Sequence, residues 1–294
     1  MSTSTARTPL FASDWLVDGE YREETVGMLK SGKESEVSLI ARIAGGRTSD
    51  NIGGREASAV VYSRGERRVS YIAEKRFKSR LFRGFQGDTA YREDRYRGPG
   101  GARVLRGIRR KRAAGHALLE GSWMGHEWEA LNELYEAGVT VPPPVGRIEV
   151  TERASRTTRV EAAEGGYRMA FIGDAPVAAP RLSAVRLAPD EAERVWRLML
   201  VEIALMLRAE RVHGDLSAYN VLYWRERPVL IDFSQTVHVV THTGARQLLR
   251  RDVERLAAYF QRQGIAASVD RAWEAIDAER ALDGRLRRRR GRDA

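Results

Sequence analysis

Asp215, Asn220 and Asp232 are the residues whose types and spacing fit a defined chemistry. They fall in two short segments, HGDLSAYNVLYW over His213–Trp224 and LIDFSQ over residues 230–235. Asp215 and Asn220 stand five residues apart, the offset at which phosphoryl-transfer loops place an acceptor-facing carboxylate and a metal-holding amide. Asp232 follows where a second metal-holding carboxylate is needed. A hard divalent cation takes oxygen ligands, and two carboxylates with one amide supply them. NVLYW and PVLIDF are β-branched and aromatic runs around the polar turn 225–227, a pattern that predicts a hairpin returning Asp232 to Asn220.

HGDLSxYN followed by an Asp-hydrophobic-small-Gln turn resembles the RIO family of atypical protein kinases. An ordinary protein kinase reads HRD and DFG, whereas Gly214 follows His213 here and Ser234 and Gln235 follow Phe233. Aminoglycoside-type small-molecule kinases share the HGD loop but carry a His-Pro-Gly stretch before the Asn and a Gly after the Asp-Phe pair. Leu216, Ser217, Tyr219 and Gln235 favour the RIO pattern. The resemblance covers most of residues 27–264 and implies an α+β, bilobal protein-kinase-like fold. Its N-lobe is small and mainly β with one αC-type helix, and its C-lobe is mainly helical. ATP and Mg²⁺ are the implied cofactors.

The elements that must position this chemistry are read in the same way. KSGKESEV over residues 30–37 has one glycine and no Walker ending, so by itself an ordinary turn is the better reading. The resemblance implies that Ser31, Gly32, Lys33 and Ser35 cover the triphosphate, with backbone N–H groups facing the anion, and that Val37 is a further ATP-binding position. YIAEKRFK over residues 71–78 offers Lys75 as the phosphate-binding lysine, with Lys78 as the alternative register and Glu74 where the family has an apolar residue. SWMGHEWEALNELYEAGV places Trp128, Leu131, Leu134 and Tyr135 at helical spacing with Gly138 as a stop. The family pattern puts the lysine-steering glutamate at Glu127, while a solvated helix charge accounts for Glu129 and Glu133. VPPPVG at 141–146 marks the entry to a strand. YRMAFIG over residues 167–173 resembles the family hinge, with Met169 at the back of the pocket and the backbone of Ala170, Phe171 and Ile172 bonding adenine. Buried strand packing explains the same apolar residues, and Ala170 stands where the family has a glutamate.

In the second half, Val195–Leu207 reads as a helix capped by Asp190 with Glu193 three residues on, its core face being Val195, Leu198, Met199, Leu205 and Met206. RDVERLAAYFQ over residues 251–261 reads as another. Only about fifteen residues separate it from Gln235 and none is APE-like, so no peptide-docking platform is expected. The resulting organisation is a flexible N-terminus over 1–19, an N-lobe over 20–171, a C-lobe over 172–284 and a basic tail over 285–294. Two insertions stand out, a flexible turn over 45–54 and an Arg- and Gly-rich connection near 83–115. The short stretch before Ser31 favours the RIO subfamily without an N-terminal winged helix.

Composition sets the remaining bounds. The 294 residues are 43% hydrophobic, enough for a sizeable core, and contain no cysteine, which excludes disulfides and thiolate metal sites. Five scattered histidines make no zinc set, and His213 reads as a structural part of the catalytic loop. No apolar run approaches the roughly 18 residues of a membrane span, and a cytoplasmic location is expected. The net charge of +10 is concentrated in Arg103, Arg106, Arg109–Arg112 and in Arg285, Arg287–Arg290 and Arg292. Such runs attract phosphate backbones, and they equally suit solvated helix ends. The family's association with small-subunit maturation makes RNA or a ribosomal subunit a candidate partner.

The resemblance therefore implies an ATP- and Mg²⁺-dependent serine kinase or ATPase. In it Asp215 faces the acceptor, Asn220 and Asp232 hold metal, Lys75 binds phosphates and Asp232 is a candidate transient phosphate acceptor. Ser79, Thr89 and Ser122 are visible autophosphorylation candidates. Two rival readings are a small-molecule phosphotransferase and a non-catalytic, nucleotide-sensing ribosome-assembly factor. The first needs a helical substrate subdomain for which the chain after the hairpin leaves little room.

Overall fold

Five strands build the N-terminal sheet of the computed structural model, and the second and third carry its longest buried runs. The structure describes residues 9–32, 35–45, 68–77, 113–148 and 165–290, without the side chains of 113–124 and 281–290. β1 (Tyr21–Ser31), β2 (Ser35–Ala44), β3 (Val69–Phe77), β4 (Pro144–Ile148) and β5 (Gly166–Ala170) are joined antiparallel in the order β1-β2-β3-β5-β4. Leu39, Ile40, Ala41, Arg42 and Ile43 are all buried, so β2 is covered on both faces and reads as a continuous run, not an alternating one. The Glu74 that departs from the family's apolar residue is buried in an ionic network on one face of the sheet. Arg76 Nε lies 2.6 Å and Arg168 Nε 2.7 Å from its two oxygens, and Arg168 continues to Glu23 at 3.0 Å. Burial pushes the Glu74 carboxyl up, but hydrogen bonds from Arg76 and Arg168 outweigh it and hold the group below its ordinary value.

One long helix, α1 (Ala113–Glu136), lies beside this sheet. It begins inside the Arg- and Gly-rich connection that the sequence carries to Gly115. It is followed by Gly138 at φ 79°, the left-handed conformation that closes a helix and that glycine adopts without a Cβ penalty. Trp128 of α1 and Tyr167 of β5 stack at 6.0 Å between ring centroids.

The remaining elements make the helical half. α2 (Pro189–Arg208), α3 (Ala245–Arg262) and α4 (Val269–Arg290) pack on one another, and α2 lies against the hairpin of β9 (Val221–Trp224) and β10 (Arg227–Leu230); the short strand pairs are β6 (Gly173–Asp174) with β7 (Val177–Ala178) and β8 (Arg211–Val212) with β11 (Val237–His238). One apolar cluster joins Leu131 and Leu134 of α1, Met199 and Ile203 of α2, Leu256 and Phe260 of α3 and Ile276 of α4. The architecture is thus α+β in two parts, a mainly β part carrying one helix and a mainly helical part, as the sequence implies.

Some local expectations are corrected. Asp190 does not cap α2: the cap is Ala188 at φ −66° and ψ 154°, without a side-chain bond, and Pro189 opens the helix. The residue before a proline is driven to extended backbone, so the helix starts at the proline and Asp190 falls in its first turn, where its charge suits the dipole. α3 starts at Ala245, six residues before the expected Arg251. α4 continues to Arg290, so helix and not tail crosses the expected boundary at 285. Residues 9–19, assigned to the flexible N-terminal segment, pack as a strap. Val17 N–H donates to Ser70 Oγ at 2.5 Å, and Phe11 stacks on Trp15 at 5.0 Å and on Trp224 at 5.5 Å.

Candidate active site

The hairpin brings the two acidic segments together. Its loop is the pair Arg225 and Glu226 at φ 49° and 57°, the two-residue turn whose twist matches that of the strands it joins. Ile231 N–H donates to the Asn220 carbonyl at 3.0 Å, which sets Asp232 one residue from the strand end that carries Asn220. Asn220 Nδ2 donates to Oδ2 and to the backbone oxygen of Asp215, at 3.2 and 2.9 Å. With its nitrogen spent in this way, the amide presents its oxygen as the donor for a cation.

Asp232 stands at φ 69°, a left-handed conformation that Asp tolerates better than most residues and that the turn after β10 imposes. Ser234 Oγ donates to its Oδ1 at 3.1 Å and Lys75 Nζ lies 3.8 Å away. Burial raises the Asp232 pKa, but the charge of Lys75 and the Ser234 hydroxyl outweigh burial and leave it below the ordinary carboxylate value. An ionised carboxylate at the mouth of the hairpin suits a cation. Among the described residues no three His, Cys, Asp or Glu side chains cluster as a metal site. Mg²⁺ commonly takes one or two protein ligands and fills its shell with water and phosphate oxygens, so Asn220 and Asp232 fit it.

Lys75 reaches the same place from the sheet. Its Nζ is 2.6 Å from Glu127 Oε1, and both residues are buried. Lys75 faces Val37 across β2 and Tyr167 across β5; Lys78 lies outside the described residues. Glu127 comes from α1, and the Tyr167 hydroxyl is turned to it. Burial, then the Glu127 charge, push that hydroxyl well above its ordinary value, so it stays protonated.

The other predicted nucleotide-binding residues are placed less uniformly. Ser31 ends β1, and its hydroxyl donates to Glu36 at 3.0 Å. Gly32 N–H donates to the Ser35 carbonyl at 2.9 Å, so it closes the hairpin turn and does not face an anion; Lys33 lies outside the described residues. Met169 is half-buried opposite Ala73 and Pro144. Of the hinge amides, Ala170 N–H is bonded to Pro143 and Phe171 N–H to Tyr71, at 2.8 and 3.0 Å. Among the described residues the Ala170 carbonyl and the Ile172 N–H are then the hinge groups left for an adenine edge, since Pro143 has no N–H to return the bond. The Phe171 and Ile172 side chains do not line this side. Phe171 borders a cavity behind the hinge with Phe11 and Trp15, and Ile172 packs with Trp224 and Val229.

Several contributors lie far from the motifs in sequence. Asp252 of α3 accepts the Gly214 N–H at 2.8 Å and the Leu216 N–H at 3.0 Å, clamping the backbone on both sides of Asp215. Arg251 donates to the Gly214 carbonyl, and Arg255 Nη1 lies 2.7 Å from Asp215 Oδ1. Gly214 itself is at φ 78°, where a Cβ would strike the Gln235 carbonyl oxygen. His213 is a strut. Burial pushes its imidazole below the ordinary value, its Nε2 donates to the Ile231 carbonyl at 3.2 Å, and its ring rests on Phe233. The Arg103–Arg112 run, Arg292, Ser79 and Thr89 lie outside the described residues, as do the side chains of Arg285–Arg290 and Ser122. Among the described residues no helix is long and apolar enough to cross a membrane.

A sheet with one glutamate-bearing helix, a hinge strand and a helical half holding an Asp-Asn loop define a protein-kinase-like architecture. Residues 164–272 match the family model described as RIO1, RIO domain. The chain is 31% identical over 163 residues to the RIO-type serine/threonine-protein kinase Rio1 of Haloferax volcanii, covering 55% of this chain and 50% of that one. It is 28% identical over 278 residues to the serine/threonine-protein kinase RIO1 of Chaetomium thermophilum, covering 90% and 47%. With the Rio1 of Thermoplasma acidophilum it shares 29% over 154 residues, covering 52% and 72%. Residues 164–272 thus carry a RIO domain, and the chain is similar to RIO-type serine/threonine kinases. It spans about half the length of the Haloferax and Chaetomium relatives.

Proposed function

We propose that the chain is an ATP- and Mg²⁺-dependent phosphotransferase, a RIO-type serine kinase with ATPase activity. The observation that carries this reading is the convergence of Lys75, paired with Glu127 at 2.6 Å, on Asp232, beside a hairpin that ties Asn220 to Asp215. Bound ATP supplies the phosphoryl group, and Mg²⁺ supplies charge neutralisation on its oxygens. Lys75, steered by Glu127, holds the α- and β-phosphates, and Asn220 and Asp232 provide the oxygens for the cation. Asp215 orients a serine hydroxyl or water and takes its proton. The Ala170 carbonyl and Ile172 N–H hold the adenine edge. Asp232, kept ionised, is also the nucleophile of a transient aspartyl-phosphate, a second route to hydrolysis beside direct attack of water on the γ-phosphorus. Contact with a maturing small ribosomal subunit through the basic runs belongs to the same proposal, supported by the net charge of +10.

The test is ATP hydrolysis and autophosphorylation with Mg²⁺ by the native chain, Asp215→Ala and Asp232→Asn, with acid-quenched labelling from γ-labelled ATP. Both variants should lose turnover, and Asp232→Asn should lose the hydroxylamine-sensitive label. A native chain that binds ATP without turnover, with or without ribosomal particles, would replace the enzyme by a nucleotide-gated binding factor.

A further inference from the structure

Between Asp215 and Asn220 the loop reads Leu216, Ser217, Ala218 and Tyr219, so it brings no cation to the point where a phosphoryl group and its acceptor meet. Lys75 is engaged with Glu127 and Asp232, on the nucleotide side. The cation at Asp215 comes instead from α3. Arg255 Nη1 lies 2.7 Å from Asp215 Oδ1, with the two side chains 43% and 47% exposed. Arg255 is one turn beyond Arg251 and less than one turn beyond Asp252, the residues that fasten Gly214 and Leu216. The helix that fixes the loop therefore also fixes the guanidinium against it. Glu254, its neighbour on α3, is taken by Arg250 at 2.8 Å and does not compete.

Stability does not account for this arrangement, because an ion pair so exposed contributes little. A guanidinium carries five N–H donors, and the contact with Asp215 leaves most of them for other oxygens. The second Asp215 oxygen is held by Asn220, so Oδ1 is the one that Arg255 guards and an acceptor must approach.

We propose that Arg255 is a further catalytic residue, an arginine supplied in cis that holds Asp215 before reaction and turns to the equatorial oxygens of the transferring phosphoryl group. The inference rests on the phosphotransferase reading above. With water as acceptor, a lone pair of the water oxygen forms the new bond to phosphorus. The bond from phosphorus to the β–γ bridging oxygen breaks, and its electron pair leaves on ADP. The water proton passes to the Asp215 oxygen that Arg255 vacates. Charge collects on the three equatorial oxygens during this exchange, and a donor already in place lowers the energy of that state more than of bound ATP.

The experiment compares the native chain, Arg255→Ala and Arg255→Lys for binding of MgADP, for binding of MgADP with aluminium fluoride as transition-state analogue, and for ATP hydrolysis. Thermal unfolding shows that the variants are folded. Arg255→Ala should bind MgADP as the native chain does. Its affinity for the analogue and its kcat should each fall on the order of a hundredfold, less than an enclosed arginine finger delivers because this one is half solvated. Arg255→Lys should recover part of both. Equal analogue affinity in the native chain and Arg255→Ala overturns the proposal. A higher kcat in Arg255→Ala also overturns it and makes the contact an inhibitory latch. A native chain that binds no Mg-nucleotide removes the parent reading and this one together, whereas native turnover that Arg255→Ala leaves unchanged removes the arginine alone.

Discussion

His126 Nε2 lies 2.6 Å from the carbonyl oxygen of Thr236, 110 positions away in the chain. A carbonyl only accepts, so Nε2 carries the proton and donates. His126 precedes Glu127 on α1, and Thr236 closes the turn that begins at Asp232. The helix that pairs with Lys75 and the turn that carries Asp232 are therefore fastened directly to each other. Replacing His126 by Ala leaves a buried carbonyl without this donor, which costs about 1–2 kcal/mol. Urea unfolding should show that loss, and ATP hydrolysis should show a raised KM for ATP with kcat less affected. An unchanged unfolding midpoint would mean that the two elements are held together by packing alone.

The Lys75–Glu127 pair makes a second prediction, in which the partly repaired protein is better than the broken one. Both groups are buried, and Lys75→Met leaves the Glu127 carboxylate without its cation beside Tyr167. Breaking a buried pair in this way costs about 3 kcal/mol or more, whereas apolar replacement of both partners is often close to neutral. The double variant Lys75→Met with Glu127→Leu should unfold at higher urea than Lys75→Met, although neither hydrolyses ATP. Additive losses in the double variant would show that the two side chains do not interact.

Asp252 gives a pH dependence whose sign follows from its surroundings. Burial, opposed by the Gly214 and Leu216 N–H bonds, raises its pKa to about 7. The unfolded chain has an Asp near about 3.9. Between these values the folded protein binds the extra proton, so this group's contribution to stability is complete below about 4 and is lost as pH rises through about 7. Asp252→Asn cannot titrate, and its amide nitrogen offers a donor to a backbone N–H. It should destabilise at every pH, and the gap between native and variant, read from urea unfolding, should widen as pH falls from about 7 towards 4. A gap that narrows on acidification would place the folded-state pKa below the unfolded one.

Much of this site is legible along the chain because its spacing is local. The Asp215–Asn220 offset, the hairpin around the polar turn 225–227 and the return of Asp232 are all contained within 18 residues. Lys75 and Lys78 cannot be separated by spacing alone, and the pairing of Lys75 with Glu127 is made only by the fold. Glu74 looks out of place because its partners Arg76 and Arg168 sit on two different strands. The first turns of α1 are obscured by Gly115, Gly121 and Gly125, which have poor helix propensity, so the apolar pattern becomes clear only near Trp128.

Asp252 and Arg255 are obscured for a different reason. On α3 they stand among Arg250, Arg251 and Glu254 as ordinary charges of an amphipathic helix. What distinguishes them is the loop that tertiary folding lays across them, 36 to 40 positions earlier in the chain. The hinge shows the opposite case. Its apolar residues predict burial correctly, but the side on which Phe171 and Ile172 are buried depends on the strap, and nothing in MSTSTARTPLFASDWLVDG announces a partner for Phe11 or Trp15.

That strap has a mechanical consequence. Trp15 and Val17 are tied to Ser70 in the sheet, while Phe11 rests on Trp224 and the Arg225 guanidinium reaches the Leu10 carbonyl in the helical half. At the hinge the two parts are therefore joined by two segments of chain lying back to back, the hinge and the strap, like a book whose spine has been bound twice. Widening the cleft has to stretch the outer binding or peel Phe11 from Trp224, so the force constant for opening is set partly by residues that never face a nucleotide.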